Sequence, residues 1–364
     1  MREKKLLFVG GGSGGHIIPN VALIEYLLAQ RYISKDNILY IGSKTGMEGN
    51  IVSAHGIRYH AISSGKLRRY FDWHNFIDIF KIIAGIWQSF FVIRAFQPDV
   101  IFSKGGFVSV PVVIGGWLNR VPIITHESDI VAGLANRIIK RFATKICLTF
   151  PKTSYHRKEV LTGLPLREAL LHGTKEEGYR LTGLSPHKPV LLVMGGSLGA
   201  SVLNHFVWDN VQKMLETTQI IHIVGKGNTR EMRQEGYIQY EFIDAELPHM
   251  YAISDVVLSR AGATVIVECA VLGKPIILVP LTTKASRGEQ ERNAKFLEQQ
   301  QAAVILPEKN LYEQGLFLIK HLLADEMRRK ELSHHIHDLF PLNASERIRQ
   351  ELDTVLTTKQ KGSC

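Results

Sequence analysis

The chain has 364 residues, of which 45% are hydrophobic, and its formal net charge is +10. That length suits two domains, and that hydrophobic content excludes a chain that is disordered throughout. The three cysteines, Cys147, Cys269 and Cys364, lack the spacing of a metal or redox motif and suit a reducing compartment. The first apolar run, Leu6–Val9, meets glycines after four residues, so it predicts a strand and not a signal peptide, with the cytoplasm as the default location.

The positive charge is concentrated in the first half of the chain. Residues 1–163 contain 21 Lys and Arg against 10 Asp and Glu, whereas the remaining residues contain 23 against 24. A basic surface attracts nucleic acid, anionic membrane lipid or a phosphorylated substrate, and charge alone does not choose among these three.

Short continuous apolar runs predict strands that are buried on both faces of a parallel sheet. In the first half these runs are Leu6–Val9, Ile38–Gly42, Val100–Phe102, Pro122–Thr125 and Lys145–Leu148. In the second half they are Val190–Met194, Ile220–Gly225, Val256–Ser259 and Pro275–Val279. Because helical stretches alternate with these runs, the sequence predicts two doubly wound, Rossmann-like α/β domains that face each other across a cleft.

A loose internal duplication sets the expected domain boundaries. Leu6–Gly15 and Val190–Gly199 each contain an apolar run, a Gly/Ser loop and the start of a helical pattern. We therefore expect an N-terminal domain at residues 1–163 and a C-terminal domain at 164–343. The final helix and tail, residues 344–364, can pack back on either domain, the N-terminal one included. Ligands of such folds bind beside the carboxyl ends of the strands.

The first glycine loop contains Gly10, Gly12 and Gly15 in the spacing G-x-G-x-x-G, which brings backbone N–H groups to a diphosphate at a helix N-terminus. NAD is disfavoured because Gly42-Ser43, and not an acidic residue, ends the second strand. His16 follows the loop, where an imidazole that titrates near neutral pH can accept a proton from a sugar hydroxyl. A capping or packing histidine is the alternative.

Polar or glycine-rich segments also follow later strands. Gly105–Pro111 forms another glycine loop, and His126-Glu127 are expected to point into the cleft. In Ser259–Glu268 a small-residue turn offers N–H groups to a diphosphate, and Glu268 suits a ribose diol or caps its own helix. The polar groups of residues 287–293 suit sugar hydroxyls or form a solvated helix start. These loops exceed the needs of one dinucleotide and fit a nucleotide-sugar in one domain and a second pyrophosphate in the other.

Residues 66–91 combine basic, aromatic and aliphatic side chains. The longest uncharged run, Ile82–Ile93, is shorter than the roughly 20 residues that a spanning helix needs. The segment can rest on anionic lipid, or its apolar residues can face the core. No RNA-binding motif accompanies its basic residues. The sequence contains no cluster of His, Asp and Cys with metal-ligand spacing and no Asp-x-Asp at a strand end. The negative charge of a diphosphate leaving group would therefore be stabilised by helix N-termini and basic side chains.

These motifs occur in the same order in the MurG family of N-acetylglucosaminyltransferases, which the chain resembles from Leu6 to about Arg349. The motifs are Gly11–His16, Gly105–Pro111, His126-Glu127, Gly195–Ala200 and Ser259–Glu268. The segment Gly65–Phe71 is similar to the Gram-positive form. Members convert lipid I to lipid II, so the resemblance implies a GT-B fold and inverting, metal-independent transfer from UDP-N-acetylglucosamine to the 4-hydroxyl of the acceptor's N-acetylmuramoyl sugar.

The resemblance also implies site residues. His16 would be the base, or would orient the attacking hydroxyl. Acceptor contacts are implied for Ser13, Gly14, Gly15, Gly105, Gly106, His126 and Glu127. Donor contacts are implied for Arg167, Ser197, Leu198, Gly199, Phe242, Ile243, Ala263, Thr264, Val265, Glu268, Glu289, Gln290 and Asn293. Among these, Phe242 and Ile243 would flank uracil, Glu268 would bind ribose, and the last three would face N-acetylglucosamine.

No cofactor or metal is expected. The implied partners are UDP-N-acetylglucosamine, lipid I, anionic membrane lipid and other cell-wall synthesis proteins, with no nucleic acid, at the cytoplasmic face of the cell membrane. The chain departs from the better-known family pattern at four places. Ser13 replaces a Thr, and Ser128-Asp129 replaces Gln-Asn. Ala263-Thr264-Val265 replaces Ala-Leu-Thr, and Glu289 replaces a Gln. The alternatives are a UDP-N-acetylglucosamine epimerase, an NAD-dependent oxidoreductase, a non-catalytic membrane-surface protein and a glycosyltransferase that acts on diacylglycerol.

Overall fold

The computed structural model describes residues 3–65, 74–196, 199–282 and 288–361, without the side chains of residues 74–77 and 359–361. The chain divides into two units. Unit 1 contains Met1–Ser128, Ala132–Arg167 and Pro341–Cys364, and unit 2 contains Asp129–Val131 and Glu168–Phe340. The main boundary therefore follows Arg167, so this residue belongs to unit 1, whereas the sequence motifs predict it in the C-terminal domain.

The strands form two parallel sheets. Unit 1 contains β1 (Leu6–Val9), β2 (Ile38–Ser43), β3 (Arg58–Ile62), β4 (Val100–Ser103), β5 (Ile123–Glu127), β6 (Lys145–Leu148) and β7 (Glu159–Leu161). Unit 2 contains β8 (Val190–Met194), β9 (Gln219–Ile223), β10 (Tyr237–Tyr240), β11 (Val256–Ser259), β12 (Ile276–Leu278) and β13 (Val304–Ile305). Every pairing within the two sheets is parallel.

Helices lie between these strands and after the last one. In chain order they are α1 (Gly14–Ala29), α2 (Glu48–Ala54), α3 (His74–Phe96), α4 (Ser109–Leu118), α5 (Leu134–Phe142), α6 (Lys175–Thr182), α7 (Ser201–Leu215), α8 (Leu247–Ile253), α9 (Ala263–Val271), α10 (Glu289–Gln299), α11 (Leu311–Ala324), α12 (Glu326–Leu339) and α13 (Ala344–Lys361). Short 3-10 turns lie at Lys35–Asn37, Glu168–His172 and Glu308–Asn310.

The strand order places the functional loops. It is β3-β2-β1-β4-β5-β6-β7 in unit 1 and β10-β9-β8-β11-β12-β13 in unit 2. The order reverses between β1 and β4, and again between β8 and β11, and doubly wound sheets bind ligands outside such a switch point. The predicted pair of doubly wound α/β domains is confirmed, and the glycine loops after β1, β4, β8 and β11 follow the strands at the two switch points.

The apolar runs of the sequence become strands that are covered on both faces. In β1, Leu6 and Phe8 join one core cluster and Leu7 and Val9 join another, because successive side chains point to opposite faces. In unit 2, Leu191 and Val193 of β8 pack in one cluster with side chains of α7 and α11. Burial on both faces explains why these runs are continuous and not alternating.

Helix α13 follows unit 2 in the chain but belongs to unit 1. Its side chains Ile348 and Leu352 are fully buried in the same cluster as Leu6 and Phe8 of β1. Tyr32, just beyond α1, donates a hydrogen bond of 2.8 Å to Asp353, so the last helix completes the core of the first unit.

Candidate functional site

Two glycine loops of unit 1 lie in direct contact. A Cβ atom added to Gly106 would lie 2.3 Å from the carbonyl oxygen of Gly11 and 3.3 Å from Cδ2 of His16. Gly106 also has a φ of +85°, which side-chain-bearing residues rarely adopt. The loops after β1 and β4 therefore meet beside His16, and only glycine fits at their contact.

His16 is half-buried in the first turn of α1, and Ser13 and Gly15 beside it are exposed. Ser13, the N-cap residue, makes no side-chain capping bond, and neither does Val108 at the start of α4. The N–H of His16 bonds to the carbonyl of Ser13 at 3.1 Å, and the first N–H groups of α1, those of Gly14 and Gly15, have no partner within the helix, so they can serve an anion. The start of α1 can thus bind a phosphate-bearing ligand next to an imidazole.

The side chains of His126 and Glu127 are buried within unit 1, whereas the sequence predicts that they point into the cleft. Both residues belong to β5 itself, and His126 Nε2 lies 2.8 Å from the carbonyl oxygen of Gly163. A carbonyl only accepts, so Nε2 carries the proton. Burial, and secondly the charge of Lys104, hold the pKa of His126 well below its usual value. Glu127 accepts a hydrogen bond of 2.9 Å from Asn136.

Three buried polar residues of unit 1 that the sequence analysis did not select also lie at these loops. Lys104 is fully buried directly before Gly105 and donates to the hydroxyl of Ser128. Tyr40 donates a bond of 2.7 Å to the carbonyl of Gly10, and Asn20 donates one of 3.2 Å to the carbonyl of Val9. Lys104 carries a sequence signal, a charge between a buried strand and a glycine loop. Asn20 and Tyr40 carry no such signal, because they bind backbone carbonyls and each other, with the Asn20 amide 3.1 Å from the Tyr40 hydroxyl.

In unit 2 the glycine loop after β8 depends on Gly199. Its φ is +76°, and an added Cβ would lie 2.0 Å from the carbonyl oxygen of Val224. Val224 in turn accepts a bond of 2.8 Å from Asn204. Ser197 and Leu198, predicted to meet the nucleotide, lie outside the described residues, as do residues 66–73 of the basic segment and Cys364.

A buried histidine supports this loop from behind. His222 Nε2 lies 3.1 Å from Oδ1 of Asn204, and its Nδ1 lies 3.1 Å from the hydroxyl of Tyr237. Because Oδ1 only accepts, Nε2 carries the proton and Nδ1 accepts from Tyr237. Burial lowers the pKa of His222 to about 3, so a neutral imidazole holds Asn204 in place.

Helix α9 carries the next group of predicted donor contacts. It begins at Ala263 after Gly262, which makes no capping bond, and Thr264 is half-buried while Ala263 and Val265 are buried. Glu268 accepts a hydrogen bond of 2.8 Å from the hydroxyl of Tyr251. Burial, followed by the charge of Glu268, raises the pKa of Tyr251 well above its usual value. Tyr251 thus remains a neutral donor that orients the carboxylate.

The polar start of α10 binds protein groups. Gln290 accepts a bond of 3.1 Å from the N–H of Leu281. Asn293 is fully buried and donates to the carbonyl of Ala261 at 3.2 Å and to Asp129 at 2.9 Å. The amide of Asn293 is thus directed at protein acceptors, and its contact with the donor sugar stays a prediction. Glu289 is half-buried.

Phe242 and Ile243 follow β10, and the two side chains differ in exposure. Phe242 is 63% exposed, whereas Ile243 is buried. An exposed ring beyond a strand end suits stacking on a flat base. Arg167, the last residue of the unit 1 segment Ala132–Arg167, is half-buried. Across the described ranges no group of three or more His, Cys, Asp and Glu side chains could hold a metal ion.

Two doubly wound parallel sheets, with glycine loops and helix starts after the switch-point strands, define a two-domain α/β fold that suits ligands with a nucleoside diphosphate. Residues 6–148 match the glycosyltransferase family 28 N-terminal domain, and residues 190–348 match the family 28 C-terminal domain. The chain belongs to glycosyltransferase family 28.

Curated relatives are similar over most of both chains. A Clostridium tetani protein named UDP-N-acetylglucosamine--N-acetylmuramyl-(pentapeptide) pyrophosphoryl-undecaprenol N-acetylglucosamine transferase is 46% identical over 333 residues, which cover 90% of this chain and 92% of the relative. A Bacillus cereus protein with the same name and the number 2 is 49% identical over 324 residues, which cover 88% and 90%.

Solved structures share the fold. MurG of Acinetobacter baumannii superposes with a TM-score of 0.74 at 23% identity and covers 96% of this chain and 99% of its own. The UDP-GlcNAc 2-epimerase of Neisseria meningitidis, bound to UDP-GlcNAc, gives a TM-score of 0.67 at 14% identity and covers 96% and 100%. At these identities the likeness establishes the architecture alone, which transferases and epimerases share.

Proposed function

We propose that this protein transfers N-acetylglucosamine from UDP-N-acetylglucosamine to the 4-hydroxyl of the N-acetylmuramoyl sugar in undecaprenyl-pyrophosphoryl-MurNAc-pentapeptide, lipid I. The products are lipid II and UDP. The observation that carries the proposal is the position of His16, beside two touching glycine loops in a family 28 chain. The Clostridium tetani and Bacillus cereus relatives, at 46% and 49% identity, are named as transferases for this donor and acceptor, and they support the choice of substrates.

In the proposed chemistry one bond forms as another breaks. The acceptor 4-hydroxyl attacks the anomeric carbon of the donor while His16 accepts its proton. The bond from that carbon to the UDP oxygen breaks, and single displacement inverts the anomeric configuration. The N–H groups at the starts of α7 and α9 stabilise the negative charge that UDP acquires, so helix dipoles serve the leaving group.

The binding roles follow the two units. The diphosphate of the lipid acceptor binds at Ser13–Gly15 and Gly105-Gly106 of unit 1, where two helices start. In unit 2, the loop at Gly199 and the first turn of α9 bind the donor diphosphate. Phe242 stacks on uracil, Glu268 accepts from the ribose hydroxyls in the orientation that Tyr251 sets, and Glu289 contacts the sugar.

Helix α3 provides the proposed contact with the membrane. The stretch Asp78–Phe96 is long and apolar enough to cross a bilayer by length and composition, a criterion that core helices also meet. One face of α3 is tied to unit 1, since Ser89 donates to Pro111 at 2.9 Å. The other face exposes Phe80 by 72%, Trp87 by 56% and Phe91 by 62%. We propose that this face rests on the cytoplasmic leaflet, where lipid I is embedded, as a peripheral contact.

The decisive test is a transfer assay with UDP-N-acetylglucosamine and a short-chain lipid I analogue, run with and without a chelator. We expect UDP release that requires the acceptor, a β-linked disaccharide product and the same rate in EDTA. Parallel reactions contain the donor alone or diacylglycerol as acceptor. A 2-epimer formed from the donor alone, transfer to diacylglycerol only, or loss of activity in EDTA would each contradict the proposal.

A further inference from the structure

Glu48 is a fully buried carboxylate behind the first glycine loop. It begins α2, and its Oε1 accepts two hydrogen bonds from Ser43 at the end of β2. The N–H of Ser43 lies 2.8 Å away and its hydroxyl 2.6 Å away. The hydroxyl of Tyr59 donates to the Ser43 carbonyl at 2.7 Å. Ser43 thus has hydrogen bonds on both sides, and Glu48 is held in one orientation.

The carboxyl group of Glu48 packs directly against Gly11. A Cβ atom on Gly11 would lie 2.6 Å from Oε1 and 2.9 Å from Cδ of Glu48. The carbonyl oxygen of Gly11 faces Gly106, whose added Cβ would meet it at 2.3 Å. Gly11, in the segment Gly10–Ser13 that is here called the acceptor loop, therefore lies between Glu48 on one side and the loop after β4 on the other.

The burial of the second carboxylate oxygen of Glu48 lowers the stability of the folded protein, and packing alone does not explain why it is buried. Oε2 is buried and has no hydrogen-bond partner among the described residues. A buried acceptor without a donor destabilises the folded protein, and such groups are rare in native structures. An apolar side chain of similar size would avoid that cost but could not accept the two bonds from Ser43. The arrangement favours a role in holding the loop over a role in stability.

We propose that Glu48 is the positioning residue of the acceptor loop: its carboxyl group, fixed by Ser43, sets the place of Gly11 and hence of Ser13–His16. This inference rests on the proposed function, since the loop is where the lipid diphosphate binds. Glu48 itself touches neither substrate. A loop displaced by about 1 Å can reduce turnover by about 100-fold, so the backing of the loop affects acceptor binding and catalysis together.

The kinetic test compares Glu48→Ala, Glu48→Gln and Val52→Ala in the transfer assay. Val52 lies on the same helix and is fully buried in the core of unit 1, so its variant is the matched control. In Glu48→Ala we expect the acceptor KM to rise about 10-fold or more and kcat to fall, with the donor KM within about 2-fold. Glu48→Gln keeps the shape and the oxygen that Ser43 binds, so it stays near wild type.

A second test measures the contact itself. Gly11→Ala places a methyl group on the Glu48 carboxyl, so we expect it to impair transfer, and Glu48→Ala in the same chain should partly restore it. Hydrogen exchange of peptides that cover residues 6–20 should be faster in Glu48→Ala than in wild type or Val52→Ala. This measurement needs no substrate and remains informative even if Glu48→Ala lowers overall stability.

Three results would overturn the inference: wild-type acceptor KM in Glu48→Ala, the same KM change in Val52→Ala, or a Glu48→Gln defect as large as that of Glu48→Ala. Strictly additive effects of Gly11→Ala and Glu48→Ala would also contradict it. If the proposed function is wrong, wild-type protein itself transfers nothing to the lipid I analogue, while the exchange difference at residues 6–20 persists. The two failures are therefore distinguishable.

Discussion

His16 is the residue on which the proposed proton transfer depends. We expect His16→Ala to lower kcat by about 10²–10⁴-fold, because a positioned general base contributes that much. The matched control is His60→Ala, which changes an exposed histidine of β3 in the same unit. Both variants should unfold at the wild-type denaturant midpoint. Near-normal turnover of His16→Ala in the transfer assay would remove the base assignment.

Gly199 and Gly196 permit a matched comparison of backbone strain and close contact. Both have positive φ, +76° and +85°, but an added Cβ meets the Val224 carbonyl only at Gly199 and nothing within 4 Å at Gly196. Gly196→Ala should cost about 1–2 kcal/mol for the left-handed conformation, and Gly199→Ala should cost more. Urea unfolding measures both costs. Equal destabilisation of the two variants would show that the backbone at Val224 moves away from the added methyl group without a further cost in stability.

His222 makes the stability of unit 2 depend on pH. Its folded pKa of about 3 lies below its ordinary value of 6.5, so below pH 6.5 the unfolded chain binds the proton first. Stability is therefore full above pH 6.5 and is lost as pH falls toward 3, by at most about 1.4 kcal/mol per pH unit from this group. Urea unfolding of wild type and His222→Gln at pH 7 and 5 measures it. A parallel decline in both proteins would contradict the assignment.

The glycine positions of the site were predictable from sequence, whereas the direction of individual side chains was not. An apolar run that is followed by glycines predicts a buried strand and then a loop, so Gly105-Gly106 and Gly199 were identified correctly as loop residues. Spacing does not say whether a polar side chain points to a ligand or into the protein, so the burial of His126 in β5 and of Asn293 in α10 was not predicted. Glu48 was not predicted as a site residue, because the sequence does not distinguish a buried glutamate from one that is exposed to solvent.

Helix α3 is the element whose exposed face distinguishes membrane contact from ordinary packing. Replacing Trp87 and Phe91 by Ser removes apolar area that the proposed interface would bury, so binding to anionic vesicles should weaken about 10-fold or more. Phe317→Ser is the control, because Phe317 is 68% exposed on α11 of unit 2. Sedimentation with phosphatidylglycerol vesicles reports binding. Equal losses in both variants would remove the special role of α3.

Among the elements, central strands were predicted and peripheral ones were not. Strands β1, β4, β8 and β11 are buried on both faces and therefore form continuous apolar runs. Strand β3 lies at the sheet edge and contains Arg58, Tyr59 and His60, all at least partly exposed. Strands β7 and β13 have only three and two residues. An edge strand needs one apolar face at most, so its periodicity was too weak to identify it.

At the scale of the whole molecule, the stability of unit 1 depends on the last helix. Leu352 of α13 is fully buried against α1 and β1 side chains, and Leu352→Ala should cost about 2–5 kcal/mol. Thr354 is exposed on the same helix, so Thr354→Ala should cost less than about 0.5 kcal/mol. Hydrogen exchange should rise in peptides of α1 and not in those of α7. Faster exchange in both units would contradict this division.

The position of α13 also reverses the order in which the two units can be finished on the ribosome. Residues 168–340 emerge as a nearly continuous block, so unit 2 has almost all of its core as soon as they have left the exit tunnel. Unit 1 begins to be translated earlier but lacks Ile348 and Leu352 until all of unit 2 has been translated. The core of unit 1, which we propose binds the lipid, is therefore completed after that of unit 2. A nascent chain that stalls before residue 341 leaves the apolar core of unit 1 exposed to chaperones.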